Sequence, residues 1–315
     1  MKRLSSCTFV GILLLQLGAF SAHADDQTVM KTFKSKSVGA IKHAKGFVQT
    51  QRSRDFLSTS QRKSFTGVDA AVPGTYSMRG NAGPVEDQGQ CGSCWDFSLT
   101  SVLRGTTIMS GKDSGRLSFN YLLNCATEMQ GCNGGDFSAA DHFINPKGAP
   151  KYGSDGAYTA TDGKCIDKKA VAGTHDYHLL GSEGSANGVA TPSFKDIAYV
   201  IGVLHRPVSI DVAVDDNWEG YSAGVYNGCT DNEVKDINHM VAIEGYDCEK
   251  SVDANGNCVF DANGNLSGGN GLWIIRNSWG TSWGDGGYIT TKATNAAGVR
   301  CNAVANDALY YDLTQ

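Results

Sequence analysis

Hydrophobic positions fall into three regimes along the 315-residue chain. A continuous apolar run covers 9–20, directly after Lys2 and Arg3. Through 25–68 apolar residues are sparse; Val29, Phe33, Ile41, Ala44 and Val48 recur at imperfect helical spacing, which predicts a weakly amphipathic helix there. Beyond Val72-Pro73-Gly74 the chain becomes Gly-rich loops punctuated by aromatic and β-branched runs, so a boundary is expected at about 66–72. Trp95, Leu99, Val102 and Leu103 mark one face of a helix over 93–110, with Ser93 as N-cap and Gly111 as stop. Shorter helices are expected over 118–125 and 137–144. From Pro207 onward "PVSIDVAV", "HMVAIEGY", "GLWIIRNSW" and "GYITTK" read as strands. A helical first half and a sheet-rich second half predict an α+β fold of two lobes with a cleft between them.

The first apolar run changes meaning once its flanks are read. A basic start, a run too short to span a bilayer and Ala22-His23-Ala24 make 1–24 a secretory signal peptide. Export places the remaining cysteines where disulfides persist. Nine are left after Cys7 goes with the leader, an odd number that points to a free thiol or an intermolecular bridge. Charge is also uneven. Residues 25–68 carry nine Lys or Arg against three Asp, whereas 69–315 carry sixteen against twenty-nine acids. A detachable basic segment docking on its own acidic body fits that asymmetry, and so does a disordered basic arm.

"QCGSCWDFS", 90–98, holds the sharpest chemistry. A zinc ribbon needs a second C-x-x-C, and none exists. A redox dithiol needs flanking parallel strands, which the pattern lacks. A cysteine nucleophile at a helix N-terminus meets unpaired N–H groups that favour thiolate. It needs a base, a group to orient the base and donors for the oxyanion. His239 in "DINHMVAIEGY", Asn277 in "RNSWG" and Gln88 in "VEDQGQCGSC" are the candidates.

These blocks, with "LSFNYLLNC", "GCNGG", "AYTATDGKC", "YSAGVY" and "WIIRNSWGTSWGDGGYI", resemble the papain-like cysteine proteases over 69–312 and in that family's order. The resemblance implies a papain-like two-lobed fold, helical over about 69–180 and β-barrel-like over about 181–315, with the active site in the cleft. It implies Cys94 as nucleophile, His239 as general base and acid, Asn277 as orienter, Gln88 with the Cys94 N–H as oxyanion hole, and Trp279 as a shield. It places Gly134, Gly135, Phe137, Asp211, Ile237 and Met240 at the substrate pocket. Its usual bridges correspond to Cys91 with Cys132, Cys125 with Cys165, and Cys229 with Cys301; Cys248 and Cys258 are then expected to pair, leaving Cys94 free. The expected protein is an exported zymogen of an endopeptidase in a periplasmic, extracellular or lysosome-like compartment. It acts as a monomer on protein or peptide substrates, is held by its own propeptide and is open to protein inhibitors. No cofactor, metal, nucleic acid or membrane span is implied. The alternatives are a catalytically weak homologue that binds peptides and a disulfide oxidoreductase.

Three features depart from the family. The stretch of about 248–271 is an insertion, expected as a disulfide-closed hairpin, and its repeated Asp-Ala-Asn-Gly-Asn reads as tight turns rather than a calcium loop. The segment 25–68 is short for an inhibitory propeptide. Asp96 stands where a small apolar residue is usual; facing away from Cys94, it is expected to complement the helix N-terminus or to find a buried donor.

Overall fold

A computed structural model describes residues 34–35, 42–144, 147–174, 176–182, 191–226, 229 and 234–313. The leader lies outside them, as do 29–33 and 36–41 of the expected N-terminal helix. Strands β1 to β13 are, in chain order, Lys34–Ser35, Arg62–Lys63, Thr75–Ser77, Ala149–Pro150, Ala170–Ala172, Asp176–Leu180, Val208–Val212, Tyr221–Ala223, Val225–Tyr226, His239–Asp247, Leu272–Arg276, Tyr288–Lys292 and Ala308–Asp312. Helices α1 to α5 are Gln51–Thr59, Cys94–Met109, Phe119–Cys125, Phe194–Gly202 and Asp216–Glu219. None of the helices among the described residues is long and apolar enough to cross a membrane.

Nine strands form one sheet in the order β2-β6-β13-β7-β10-β11-β12-β9, with β3 beside β10. The alternation of side chains along β10 divides the interior in two. Met240 and Ala242 enter a core built on Trp95, Leu99, Val102, Leu122, Phe137 and Phe143. Val241 and Ile243 enter the other, with Ile210, Trp273, Ile275 and Ile289. Helix α2 lies against this strand, and Ser98 fixes its height by donating to the Val241 carbonyl at 2.7 Å.

Strands β7, β10, β11 and β12 lie where alternation placed them. The N-terminal helix does not: 42–48 is non-helical, and the helix begins only at Gln51, where the Thr50 side chain accepts from Ser53 N. Backbone donors of 46–48 are instead bonded to carbonyls of the body, which an α-helix would not permit. Residues 137–143 form a 3-10 helix rather than an α-helix. At three residues per turn Phe137, Ala140 and Phe143 share one face, and all three are fully buried.

Disulfides join Cys91 to Cys132, Cys125 to Cys165, Cys229 to Cys301 and Cys248 to Cys258; Cys94 is free. In the insertion Asp253 Oδ1 accepts from Asn255 N and Asn257 N, and Asp261 repeats this with Asn263 and Asn265. These are self-contained turns. The insertion rests on the chain segment 72–74, through Gly74 N to Gly256 O and Cys258 N to Val72 O, both 2.8 Å.

Candidate active site

Cys94 is the first residue of α2, set there by the Cys91–Cys132 bridge and by Gly92. A Cβ on Gly92 would lie 2.4 Å from the Cys132 carbonyl and 2.6 Å from that of Lys45, so only glycine lets these backbones close on the helix start. Ser93 precedes α2 without the expected side-chain cap; its hydroxyl meets that of Tyr158 at 2.8 Å. The Cys94 sulfur accepts from Met240 N at 3.3 Å. Burial pushes the thiol up to about 12, against the pull of backbone N–H groups of Met240, Trp95 and Phe47.

His239 opens β10, and Asn277 follows the last residue of its antiparallel neighbour β11. That register puts the two at the same end of the sheet, with His239 Nε2 2.8 Å from Asn277 Oδ1. The amide oxygen accepts, so Nε2 carries the proton and Nδ1 keeps its lone pair; Nδ1 is buried without a partner. Trp279 lies over the ring at 4.8 Å between centroids and covers this contact. Burial lowers the imidazole to about 3; the Asn277 bond opposes this, while Lys45 and His43 deepen it.

Gln88 is held from behind by Ser278, whose hydroxyl donates to Gln88 Oε1 and whose carbonyl accepts from Gln88 N at 2.8 Å. Its Nε2 is thereby aimed at the cleft, where it donates to Ala44 O at 3.1 Å and Cys91 O at 2.9 Å. Trp279 Nε1 donates to the same Ala44 carbonyl at 3.2 Å.

A papain family cysteine protease profile matches residues 72–310. The chain belongs to the papain family of cysteine proteases. It is 33% identical over 260 residues to vignain of Vigna mungo, a match covering 82% of this chain and 63% of that protein. It is 33% identical over 239 residues to digestive cysteine proteinase 2 of Homarus americanus, covering 74% and 64% of the two. The chain thus spans under two thirds of these relatives. Among solved structures it is similar to a recombinant stem bromelain precursor, with TM-score 0.64 and 26% identity over 85% of this chain and 81% of that one. The architecture is the α+β papain fold.

The papain-family cleft is occupied by this chain's own residues 42–48. Gly46 N and Phe47 N donate to Asn238 O at 3.2 and 3.1 Å, Gly135 N donates to Gly46 O at 2.9 Å, and Val48 N donates to Gly135 O at 3.0 Å. Gly135 has to be glycine, since a Cβ there would meet the Trp95 ring at 2.5 Å. Gly134 lies beside Val48 on the same edge. Phe47 packs edge-on against Phe137 at 6.2 Å, in a cluster with Met240 and Ile237. His43 stacks on Trp279 at 4.4 Å, and Lys45 forms an ion pair with the buried side chain of Glu219.

Asp211 pairs with Met240 across the β7–β10 register, but its Oδ1 accepts from Asp307 N at 2.9 Å. Burial and the Asp307 charge push it well above the usual carboxylate range, and Arg300 opposes them. The resemblance implies a place for Asp211 at the substrate pocket; its carboxylate is instead buried and bonded to the Asp307 backbone. Sequence reading missed Ser278, the Asn238 carbonyl and Glu219. Ser278 and Asn238 were adjacent to motif residues; nothing marked Glu219.

Proposed function

We propose that this chain is the latent form of an exported cysteine endopeptidase, with Cys94, His239, Asn277 and Gln88 as its catalytic groups. One observation carries the reading: a single segment, 42–48, crosses the cleft from Gln88 and Trp279 past the Cys94 sulfur to Gly135, bonded along its backbone as an extended peptide would be. A cleft that a chain passes through suits cutting within polypeptides. The four bridges suit an oxidising compartment, in line with the leader. The same bridges remove the oxidoreductase alternative, because Cys91 is tied to Cys132 and not to Cys94.

In the occupied cleft thiol and imidazole are both neutral. Departure of 42–48 removes the Lys45 charge and admits water, which lets the proton pass from Cys94 to His239. The thiolate attacks the scissile carbonyl carbon. The resulting oxyanion takes the Gln88 Nε2 donor now given to Ala44 O, with the Cys94 N–H as second donor. His239 protonates the leaving amine; it then deprotonates a water that attacks the thioester and frees the carboxylic acid and Cys94. Gly135 binds the substrate backbone, and the space taken by Phe47 receives an apolar side chain. No cofactor enters these steps, and one copy of the chain supplies every group.

Acid-processed protein should hydrolyse a fluorogenic peptide with an aromatic residue second from the cut. Cys94→Ala should lower kcat/KM by about a thousandfold or more, and Gln88→Ala by about a hundredfold. Unchanged hydrolysis in Cys94→Ala would refute the reading.

A further inference from the structure

The basic segment contains two parts that meet the body differently. Residues 42–48 touch only the cleft and its rim, and their exposed end, Lys42, faces Asp216 at 3.6 Å. Residues 62–68 are built into the fold. Strand β2 pairs in parallel with β6, Arg62 opposite Leu179 and Lys63 opposite Leu180, and forms the edge of the main sheet. The Arg62 side chain is 4% exposed and donates to Asp307 Oδ1 at 3.1 Å, Leu180 O at 3.0 Å and Leu57 O at 3.1 Å. Asp307 is itself buried beside Asp211. Phe65 stacks on Tyr199 at 4.3 Å, and its N–H donates to Asp196. Lys195 Nζ donates to Thr66 O at 3.0 Å and Val68 O at 2.8 Å, while its own backbone N–H is held by Gly264 of the insertion.

Loss of everything before Asp69 would therefore take the Arg62 ion pair from Asp307 and leave that carboxylate to Asn306 Nδ2 at 3.0 Å and the Arg300 charge. Removing one partner of a buried pair is the strongly destabilising case. It would also bare the edge of β6. Between the two parts lies α1, nine residues that bury only Ser53 and Leu57, followed by exposed Gln61. A helix this short and this little buried opens locally and can present an extended chain to a protease.

We propose that maturation hydrolyses one peptide bond between residues 49 and 62, and that 62–68 remains as the permanent edge strand of the mature enzyme. The insertion then has a role: with α4 it clamps the retained arm. The proposal rests on the endopeptidase reading above, with a second copy as the cutting enzyme. Full-length protein is held at about pH 5 until peptidase activity is constant, then analysed by N-terminal sequencing and intact mass. A first residue anywhere from Thr50 to Arg62 is expected. A first residue at Gln49 or before, one at Lys63 or beyond, or no cut at all overturns the proposal. Peptide hydrolysis by the same sample separates the two claims, since active protein cut elsewhere sinks only this one. Arg62→Gln should lower the melting midpoint of the processed enzyme by about 6 °C or more. Equal midpoints would overturn the anchoring role; if Arg62→Gln does not fold, the wild-type N-terminus alone decides.

Discussion

Asp96 shows how one residue departs from its surroundings without entering the chemistry. Two positions along a helix are about 200° apart, so its carboxylate leaves α2 away from Cys94. Oδ1 accepts from Thr100 Oγ1 at 2.8 Å, and Oδ2 is buried without a partner. Burial pushes its pKa well above the ordinary 3.8; the Thr100 bond opposes this and the Asp155 charge adds to it. With the folded value above the unfolded one, the native state holds this proton more tightly. Its contribution to stability is therefore fully present below the unfolded pKa and declines as pH rises toward the folded value. Asp96→Asn keeps the Thr100 bond and removes the ionisation, so it should stabilise the protein by about 1–2 kcal/mol at neutral pH. Melting curves from pH 4 to 7 should converge at the acid end. The Asp96 carboxylate is bonded to Thr100, one turn further along α2, whereas the Cys94 sulfur is bonded to Met240 N. The pH dependence of thiol alkylation should accordingly be the same in both proteins; a displaced profile would mean that Asp96 does act on the thiol.

At the scale of elements, the cleft segment carries a pH response of its own. His43 is stacked on Trp279, its backbone N–H donates to Glu219 at 3.3 Å, and burial lowers its pKa; Glu219 and Asp87 oppose that lowering, while Lys45 adds to it. Docked His43 thus resists a proton that the released segment takes up near the ordinary value of 6.5, and docking weakens as pH falls below that value. His43→Gln should flatten this component, so that the processing rate changes less between about pH 7 and pH 5. Glu219→Gln leaves Lys45 without its carboxylate and should speed processing by roughly tenfold. A Glu219→Gln protein that processes no faster would remove the Lys45 contact from the account. The sequence made α2 and the central strands legible because side chains dictate them: Trp95, Leu99, Val102 and Leu103 could face only a core. The cleft segment is held mainly through backbone groups of Ala44, Gly46, Phe47 and Val48, which leave no side-chain period to read. Helix α4 did leave a signal that went unread, the Ser193 and Asp196 capping box ahead of Ile197, Val200 and Ile201.

Over the whole molecule, the charge asymmetry along the sequence becomes a row of contacts between 42–63 and the body. Lys42 meets Asp216, Lys45 meets Glu219, Arg52 meets Glu128, Arg62 meets Asp307 and Lys63 meets Asp312. These pairs differ in what salt can do to them. Lys42–Asp216 is open to solvent and Arg52–Glu128 partly so, and such pairs contribute about 0–1 kcal/mol each. Raising salt from about 0.1 to 1 M shortens the Debye length from about 10 to 3 Å, which should weaken them and speed processing by about two- to fivefold. Arg62 and Asp307, 4% and 1% exposed, are shielded from that screening. The midpoint of processed enzyme should therefore keep its dependence on Arg62 at both salt concentrations, while the rate of its formation changes. If processing were indifferent to salt, latency would rest on the Phe47 contacts and the backbone bonds of 44–48, and the basic character of the segment would serve only to anchor its far end.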